Sequence, residues 1–271
     1  MTTPTTTTHT VTTDAGLVTI TVTDQGQGPT ILLLHGGAGP QSVAAFATLL
    51  AEVHDARVLT VTHPGFGGTP RPDHLDSIAE LAALYTELLD QLDLVDVTVV
   101  GNSLGGWTAA EMGLRGSSRI SSIVLVDAVG LHLPSAPIVD FFSLTMDQVT
   151  ELSYYEPERH RMDLANLPDA ARQLMAGNRA ALLAYGGTAM ADDTLLGRLP
   201  RLALPTLVVW GAADRVAPPA HGHAYAAAIP DARLDLIDTA GHLPQLETPD
   251  RLATDVRAFA DEHSTDRSPG V

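Results

Sequence analysis

Residues 101–105 (Gly-Asn-Ser-Leu-Gly) constrain the fold of this chain more than any other segment. An apolar, β-branched run at 97–100 precedes them, and a helix-compatible run at 106–112 follows. A strand that turns sharply into a helix through Gly-x-Ser-x-Gly leaves room only for small residues beside the serine, because the two backbones approach closely. Such a turn presents the serine hydroxyl at the top of a sheet. The context therefore predicts that Ser103 is a nucleophile.

A serine hydroxyl needs a base to remove its proton and an acid to orient that base. Two later loops offer candidates. Asp214 follows the apolar, strand-like run 204–211, at the carboxyl end of a strand, where α/β sheets place their chemistry. His242 follows the alternating run 232–238. The order Ser, Asp, His along the chain is one of the orders in which a serine triad occurs.

The chain resembles the α/β-hydrolase fold family with a serine triad, and within it the esterase and meta-cleavage product hydrolase branch. The resemblance runs from about residue 18 to about residue 262. Five motifs carry it in combination: 35–37 (His-Gly-Gly), 63–67 (His-Pro-Gly-Phe-Gly), the Ser103 turn, 210–214 (Trp-Gly-Ala-Ala-Asp) and 241–242 (Gly-His).

The resemblance implies that Ser103 is the nucleophile, His242 the general base and acid, and Asp214 the orienting carboxylate. Asp127 is a rival acid, because it follows the strand-like run 123–126 and some relatives place the acid after that strand. The Gly-x-x-Asp loop of Asp214 matches the commoner pattern. The alternative for Asp127 is a residue at the start of a loop that lines the pocket.

Acyl transfer at a serine also requires donors aimed at the developing oxyanion. The backbone N–H of Leu104 is one candidate, because it lies at the start of the predicted helix, where the helix dipole favours negative charge. The glycine-rich loop 35–40 is expected to supply the other from Gly37, with Gly36 as the second choice. We expect the His35 ring to hydrogen-bond nearby loop backbone.

Periodicity organises the chain into strands that alternate with helices, which predicts a mostly parallel sheet. The predicted strands are 17–23, 30–35, 57–62, 97–101, 121–127, 206–211 and 233–238, and the predicted helices are 43–53, 78–92, 104–114, 219–228 and 249–262. The predicted fold is the α/β-hydrolase fold, a mostly parallel central sheet flanked by helices, with a helical cap inserted before the last two strands. The expected segments are a disordered tail at 1–13, a core at 14–128 and 200–263, a cap at 129–199, and a disordered tail at 264–271.

The cap is expected because no strand pattern appears between Asp127 and Thr206, and a long insertion with its own structure commonly serves as a lid or binding element. Its helix-like pieces are 138–144, 146–152, 158–166, 169–175 and 180–185. The residues expected to contact substrate are Gly36, Asn102, Phe66, Trp107 and Arg179. Arg179 is a candidate for binding a substrate carboxylate, and a solvated helix residue is its alternative.

Composition excludes several classes of function. A net charge of -17 opposes nucleic-acid binding and favours a small neutral substrate. With 0 cysteines there is no disulfide and no thiolate metal site, and the pair His221 and His223 points to different helix faces, so no metal is expected. No phosphate-binding loop, signal peptide or membrane span is recognisable, which favours a cytoplasmic enzyme without a cofactor and without a membrane partner. The pattern indicates no oligomeric state.

The sequence therefore predicts a serine hydrolase that cleaves a carboxylic ester or lactone through an acyl-enzyme. The alternative is a carbon–carbon bond hydrolase of the meta-cleavage product type. One departure counts against that subgroup, since Leu243 follows the histidine where a tryptophan is usual. A third possibility is a protein that binds a small ligand without catalysis, because fold alone does not prove activity.

Overall fold

The computed structural model describes residues 3–13, 16–161 and 166–264. The strands are β1 (Thr5–Thr13), β2 (Gly16–Gln25), β3 (Thr30–Leu34), β4 (Arg57–Thr62), β5 (Val97–Asn102), β6 (Ile120–Val126), β7 (Gly130–Leu131), β8 (Ala191–Asp192), β9 (Thr206–Gly211) and β10 (Ala232–Ile237). The α-helices are α1 (Gln41–Glu52), α2 (Ile78–Gln91), α3 (Leu104–Arg115), α4 (Met146–Ser153), α5 (Asp169–Gly186), α6 (Leu195–Arg198), α7 (Ala220–Ala228), α8 (Pro244–Glu247) and α9 (Pro249–His263).

Eight strands form one sheet in the order β1-β2-β4-β3-β5-β6-β9-β10. β1 pairs antiparallel with β2, and β2 pairs antiparallel with β4. The six strands from β4 to β10 pair in parallel. The fold is therefore the α/β-hydrolase fold that the resemblance implies, and the seven predicted strands and five predicted core helices all occur, with ends that differ by at most two residues.

The sheet is buried on both faces because its central strands are apolar on both faces. Every residue of β5 and of β9 is buried, as expected for parallel strands covered by helices on both sides. One apolar core joins the sheet to α2, α3 and α7, and the other joins it to α1 and α9. None of the described helices combines the length and hydropathy that crossing a bilayer requires.

The predicted disordered tail at 1–13 is wrong, because residues 5–13 form β1. The strand pairs with β2 over its whole length, from Thr5 opposite Asp24 to Thr13 opposite Gly16. Threonine is β-branched and favours strands, but only Val11 turns an apolar side chain into the core, so no hydrophobic alternation marked the strand. Of the predicted tail at 264–271, residues 265–271 lie outside the described residues.

The helical insertion lies between β6 and β9, before the last two strands of the sheet. α4 matches the predicted piece 146–152, whereas 169–175 and 180–185 belong to one continuous helix, α5. Residues 138–144 form turns and no helix, which corrects that prediction. The piece 158–166 contains a 3-10 turn at Pro157–Arg159, and residues 162–165 lie outside the described part of the chain. β7 and β8, a short parallel pair, were not predicted.

The junction between β5 and α3 is tightly packed. A Cβ on Gly101 would lie 2.1 Å from the Gly105 carbonyl oxygen, and a Cβ on Gly105 would lie 2.3 Å from the Leu34 carbonyl oxygen. Backbone cannot move away without breaking the pairing of β3 with β5. The sequence requirement for small residues at this turn therefore has a steric cause.

We predict that Gly105→Ala lowers the free energy of unfolding by at least about 1–3 kcal/mol, the usual cost of overpacking a dense site. Gly197→Ala is the matched control, because a Cβ there meets nothing within 4 Å, and it should be neutral or stabilise by about 0.5–1 kcal/mol. Urea denaturation of both variants measures the difference. Equal stability of the two variants would contradict the steric account.

Candidate active site

The structure brings Ser103, His242 and Asp214 into one hydrogen-bonded row. Ser103 Oγ lies 2.9 Å from His242 Nε2, and His242 Nδ1 lies 2.7 Å from Asp214 Oδ2. The three residues come from the β5–α3 turn and from the loops after β9 and β10, which meet at the carboxyl edge of the parallel strands. His242 therefore has a proton acceptor in reach on one ring nitrogen and the serine hydroxyl on the other.

Ser103 has a strained backbone. Its φ of 55° lies in the left-handed region, which residues other than glycine adopt rarely and at a cost of about 1–3 kcal/mol. Its N–H donates to the Val126 carbonyl, and its own carbonyl accepts from the N–H groups of Trp107 and Val129. These bonds keep the residue in this conformation, with 8 % of its surface exposed.

Two backbone donors near Ser103 have no acceptor among the described residues. The N–H of Leu104 is the first of α3, at the positive end of the helix dipole. The N–H of Gly37 belongs to the loop after β3, and a Cβ on the neighbouring Gly36 would lie 2.9 Å from the Ser103 Cβ. The loop therefore passes directly beside the serine, and both predicted oxyanion donors lie at this edge of the sheet.

Asp127 lies beside Asp214 but is not bonded to His242. It is fully buried, and its Oδ1 accepts the Gly211 N–H at 2.9 Å, while its Oδ2 has no partner among the described residues. Burial, and secondarily the nearby Asp214, raise the pKa of the Asp127 carboxyl well above its usual range. The carboxylate that is bonded to His242 is thus that of Asp214, whose Oδ1 also accepts the N–H groups of Val216 and Ala217.

Among the described residues, Asp127, Asp214 and His242 form the cluster whose ligand atoms are close enough to share a metal ion, within 4.8 Å of one another. The short His242–Asp214 contact is already explained by a hydrogen bond. His221 is buried and bonds the Ala136 carbonyl, whereas His223 is exposed. The hydrogen bonds between Ser103, His242 and Asp214 are suited to proton transfer between these three side chains.

Comparison with known proteins identifies the family of this chain. Residues 31–256 match the model of the alpha/beta hydrolase family. This chain belongs to that family. Two relatives are similar to this chain over most of its length. A pimeloyl-[acyl-carrier protein] methyl ester esterase from Aromatoleum aromaticum is 30% identical, over 83% of this chain and 95% of its own length. A 2-hydroxymuconate semialdehyde hydrolase from Pseudomonas putida is 29% identical, over 88% and 89%.

Solved structures of the family share the fold. A thermophilic esterase from Thermogutta terrifontis superimposes with a TM-score of 0.76 at 23% identity, over 96% of this chain and 100% of that one. A meta-cleavage product hydrolase from Pseudomonas fluorescens IP01 gives a TM-score of 0.74 at 22% identity, over 94% and 97%.

Asn102 was expected to contact substrate, and the structure corrects this. Its side-chain amide is buried and all its partners are protein groups. Nδ2 donates to the carbonyls of His242 at 3.1 Å and Val126 at 3.3 Å, and Oδ1 accepts from Gln245 Nε2 at 3.1 Å. Asn102 therefore ties the nucleophile turn to the histidine loop, a role that a sequence separation of 140 residues conceals.

Phe66 is also corrected from a substrate contact to a packing residue. It is fully buried, with its ring 5.0 Å from the His35 ring and stacked on Tyr185 at 6.4 Å between centroids. Trp107 is buried against Gly130, and its indole N–H has no partner among the described residues. A substrate contact by Trp107 therefore stays a prediction, as does one by Gly36.

Arg179 was expected to bind a substrate carboxylate, but its guanidinium is already occupied. Nη1 donates to the Phe141 carbonyl at 3.3 Å, Nη2 donates to the Phe142 carbonyl, and the group lies 5.1 Å from the centre of the Phe142 ring. These contacts hold the turn at 141–142 against α5. The structure therefore gives Arg179 a structural role and supplies no evidence for a carboxylate site there.

Sequence reasoning missed the residues that support His242. Its N–H donates to the Ser153 carbonyl at the end of α4, 2.7 Å away. Glu247 accepts the N–H of Gly241 through one oxygen and that of Tyr155 through the other, both at 2.6 Å. A Pro-Gln-Leu-Glu run after the histidine indicates only a short helix, and nothing in it signals partners about ninety residues away.

The loop that carries Gly37 rests on two buried histidines. His35 Nε2 accepts the His63 N–H at 3.1 Å, so His35 Nδ1 carries the proton and donates to the Gly36 carbonyl at 2.7 Å. His63 Nε2 donates to the His35 carbonyl at 2.8 Å, and its Nδ1 accepts the Tyr85 hydroxyl at 2.6 Å. Both rings are thus neutral, and the expected backbone bond of the His35 ring is confirmed.

Burial lowers the pKa of His63 from 6.5 to about 4, and burial, with a smaller effect of the neighbouring His63, lowers the pKa of His35 well below its usual range. At mildly acidic pH, His35 and His63 are therefore protonated in the unfolded chain but stay neutral in the folded chain. We predict full stability above about pH 6.5 and a loss of about 3 kcal/mol from His63 as the pH falls towards 4.

Urea denaturation between pH 7 and 4 tests this prediction. His63→Gln should flatten the pH slope although it lowers stability at pH 7. His223→Gln is the control, because this histidine is exposed, and it should keep the wild-type slope. An unchanged slope in His63→Gln would show that other groups cause the acid sensitivity.

Proposed function

We propose that this member of the alpha/beta hydrolase family is a serine hydrolase that cleaves a carboxylic ester or lactone of a small neutral organic substrate. The observation that carries the proposal is the continuous row Ser103–His242–Asp214, with hydrogen-bond distances of 2.9 and 2.7 Å. A general base within this reach of a hydroxyl can activate it as a nucleophile. The net charge of -17 supports a neutral substrate over an anionic one.

In the first half-reaction, Ser103 Oγ attacks the substrate carbonyl while His242 Nε2 takes its proton. Asp214 stabilises the imidazolium, and the N–H groups of Leu104 and Gly37 stabilise the oxyanion. His242 then protonates the leaving alcohol, which departs and leaves an acyl group on Ser103. In the second half-reaction, water attacks the acyl group, His242 takes the water's proton and returns it to Ser103 Oγ, and the acid is released.

Carbon–carbon hydrolysis of the meta-cleavage product type is the second candidate. The similarity to a 2-hydroxymuconate semialdehyde hydrolase supports it, at 29% identity over 88% of this chain. The similarity to a methyl ester esterase, at 30%, supports the first candidate equally. The engagement of Arg179 by the carbonyls of Phe141 and Phe142 counts against a carboxylate site at that residue.

We further propose that residues 129–199 act as a cap over the site. The support is that α4 contacts the histidine loop through the Ser153 carbonyl and that α5 contacts the loop beside the serine through Asn178. A cap that contributes hydrogen bonds to both sides of the row would define the space that a substrate enters.

Ser103 should react once with a fluorophosphonate, because the row lowers the barrier to attack by this hydroxyl alone. We expect one adduct by intact mass on the wild type and none on Ser103→Ala or His242→Ala. Ser121→Ala, a change outside the row, should keep the adduct.

The substrate class then follows from a panel of p-nitrophenyl esters, lactones and 2-hydroxy-6-oxo-dienoates. Turnover of esters or lactones alone supports the first candidate, and turnover of dienoates alone supports the second. Absence of both the adduct and turnover in folded wild type would contradict the hydrolase proposal and would favour a protein that binds a small ligand.

Asp214 and Asp127 differ in their predicted contribution. Asp214→Asn should reduce kcat/KM by about 10³–10⁴-fold, because the amide favours the wrong histidine tautomer. Asp127→Asn should keep most activity, since this carboxyl is not bonded to His242 and an amide can still accept the Gly211 N–H. The same ester assay measures both. Loss in Asp127→Asn with activity retained in Asp214→Asn would transfer the acid role to Asp127.

A further inference from the structure

One face of α5 packs on the two glycine loops beside the serine. Asn178, Ala181, Leu182 and Tyr185 follow the spacing that places residues on one helix face, and all four are buried. The Tyr185 hydroxyl donates to the Pro64 carbonyl at 2.9 Å. The helix therefore contacts the loop 35–40 and the loop 63–68 at the same time.

Asn178 joins the two loops through its amide. Nδ2 donates to the Ala38 carbonyl at 3.4 Å, and Oδ1 accepts the Gly67 N–H at 2.9 Å. Because one partner is a carbonyl and the other an N–H, the orientation of the amide is fixed. The side chain is 7 % exposed, so water does not replace either bond freely.

Glycines in the loop 35–40 allow this face of α5 to approach the loop backbone closely. A Cβ on Gly39 would lie 2.5 Å from Asn178 Nδ2, and a Cβ on Gly37 would lie 2.5 Å from Leu182 Cδ2. Gly39 also has a φ of +88°, which only glycine adopts readily. The glycines thus permit an approach in which α5 sits directly on the segment that carries the Gly37 N–H.

We propose that Asn178 is a positioning residue for hydrolysis, which fixes the oxyanion loop through the Ala38 carbonyl and so aims the Gly37 N–H at the reacting carbonyl. The inference rests on the proposed function. It assigns α5 a part in the chemistry, because this helix holds the loop that carries the Gly37 N–H. An open cap would then have to move other segments while α5 remains in place.

Asn178→Ala removes both bonds and should lower kcat for p-nitrophenyl acetate by about 10–100-fold, as expected when a donor shifts by a fraction of an ångström to an ångström. KM should change by less than about 3-fold, and the affinity for an aryl trifluoromethyl ketone, which mimics the tetrahedral state, should fall with kcat. Gln173→Ala is the matched control, an exposed amide on the same helix, and should leave all three values unchanged.

Asn178→Asp separates positioning from packing. The carboxylate can accept the Gly67 N–H, but it cannot donate to the Ala38 carbonyl until it is protonated. The ratio of its kcat/KM to that of wild type should therefore rise as the pH is lowered, whereas the ratio for Asn178→Ala should stay flat. A parallel response of the two variants would indicate only lost packing and would contradict the proposal.

Hydrogen exchange tests the inference independently of activity. In Asn178→Ala, amides of both loops, 36–40 and 65–68, should exchange at least about 10-fold faster, and in Gln173→Ala neither should change. Faster exchange in both loops supports the positioning role even if no ester is turned over, in which case only the hydrolase proposal fails. Unchanged exchange at 36–40, or wild-type affinity for the trifluoromethyl ketone in active Asn178→Ala, overturns it.

Discussion

The close approach of α3 to β3 and β5 is the constraint on which the rest of the site depends. A Cβ on Gly101 would lie 2.1 Å from the Gly105 carbonyl oxygen, and a Cβ on Gly105 would lie 2.3 Å from the Leu34 carbonyl oxygen, so neither position can hold a larger residue. At this turn Ser103 takes a positive φ, and the N–H of Leu104, like the first N–H of any helix, has no helical acceptor. The positions of the proposed nucleophile and of one proposed oxyanion donor therefore both depend on this turn.

Buried hydrogen bonds fix the other groups relative to this turn. Asn102 reaches the His242 carbonyl, Glu247 holds the Gly241 N–H, and the neutral pair His35 and His63 supports the glycine loop. Buried polar groups of this kind are strong when fully paired and costly when one partner is lost. The groups around Ser103 are thus held by hydrogen bonds that are buried or half-buried.

The predictions made from the sequence agree with the structure where adjacent residues encode the element, and they fail where distant residues decide it. The apolar runs of β5 and β9 and the glycines around Ser103 carry their structure in adjacent residues, so both were predicted. β1 was not predicted because Val11 is the one apolar side chain that this threonine-rich strand buries, so the sequence shows no alternation of apolar and polar residues. The insertion was predicted in outline only: α4 is short, α5 contains a glycine at position 177, and residues 138–144 contain no helix. Asn102, Phe66 and Arg179 were expected to contact substrate, yet each is engaged by protein groups.

The sequence by itself determined the parallel sheet, the serine turn, and the loops that carry Asp214 and His242, because strand periodicity and a steric motif act over few residues. Only the tertiary structure decided which acid faces the histidine and what the polar residues around it bind. Asp127 and Asp214 both follow buried strands, and although the Gly-x-x-Asp loop favours Asp214, only the packing of the loops brings that carboxylate within 2.7 Å of His242 Nδ1. Likewise, Asn178 meets Ala38 across 140 residues, and only the packing of α5 on the core brings them together.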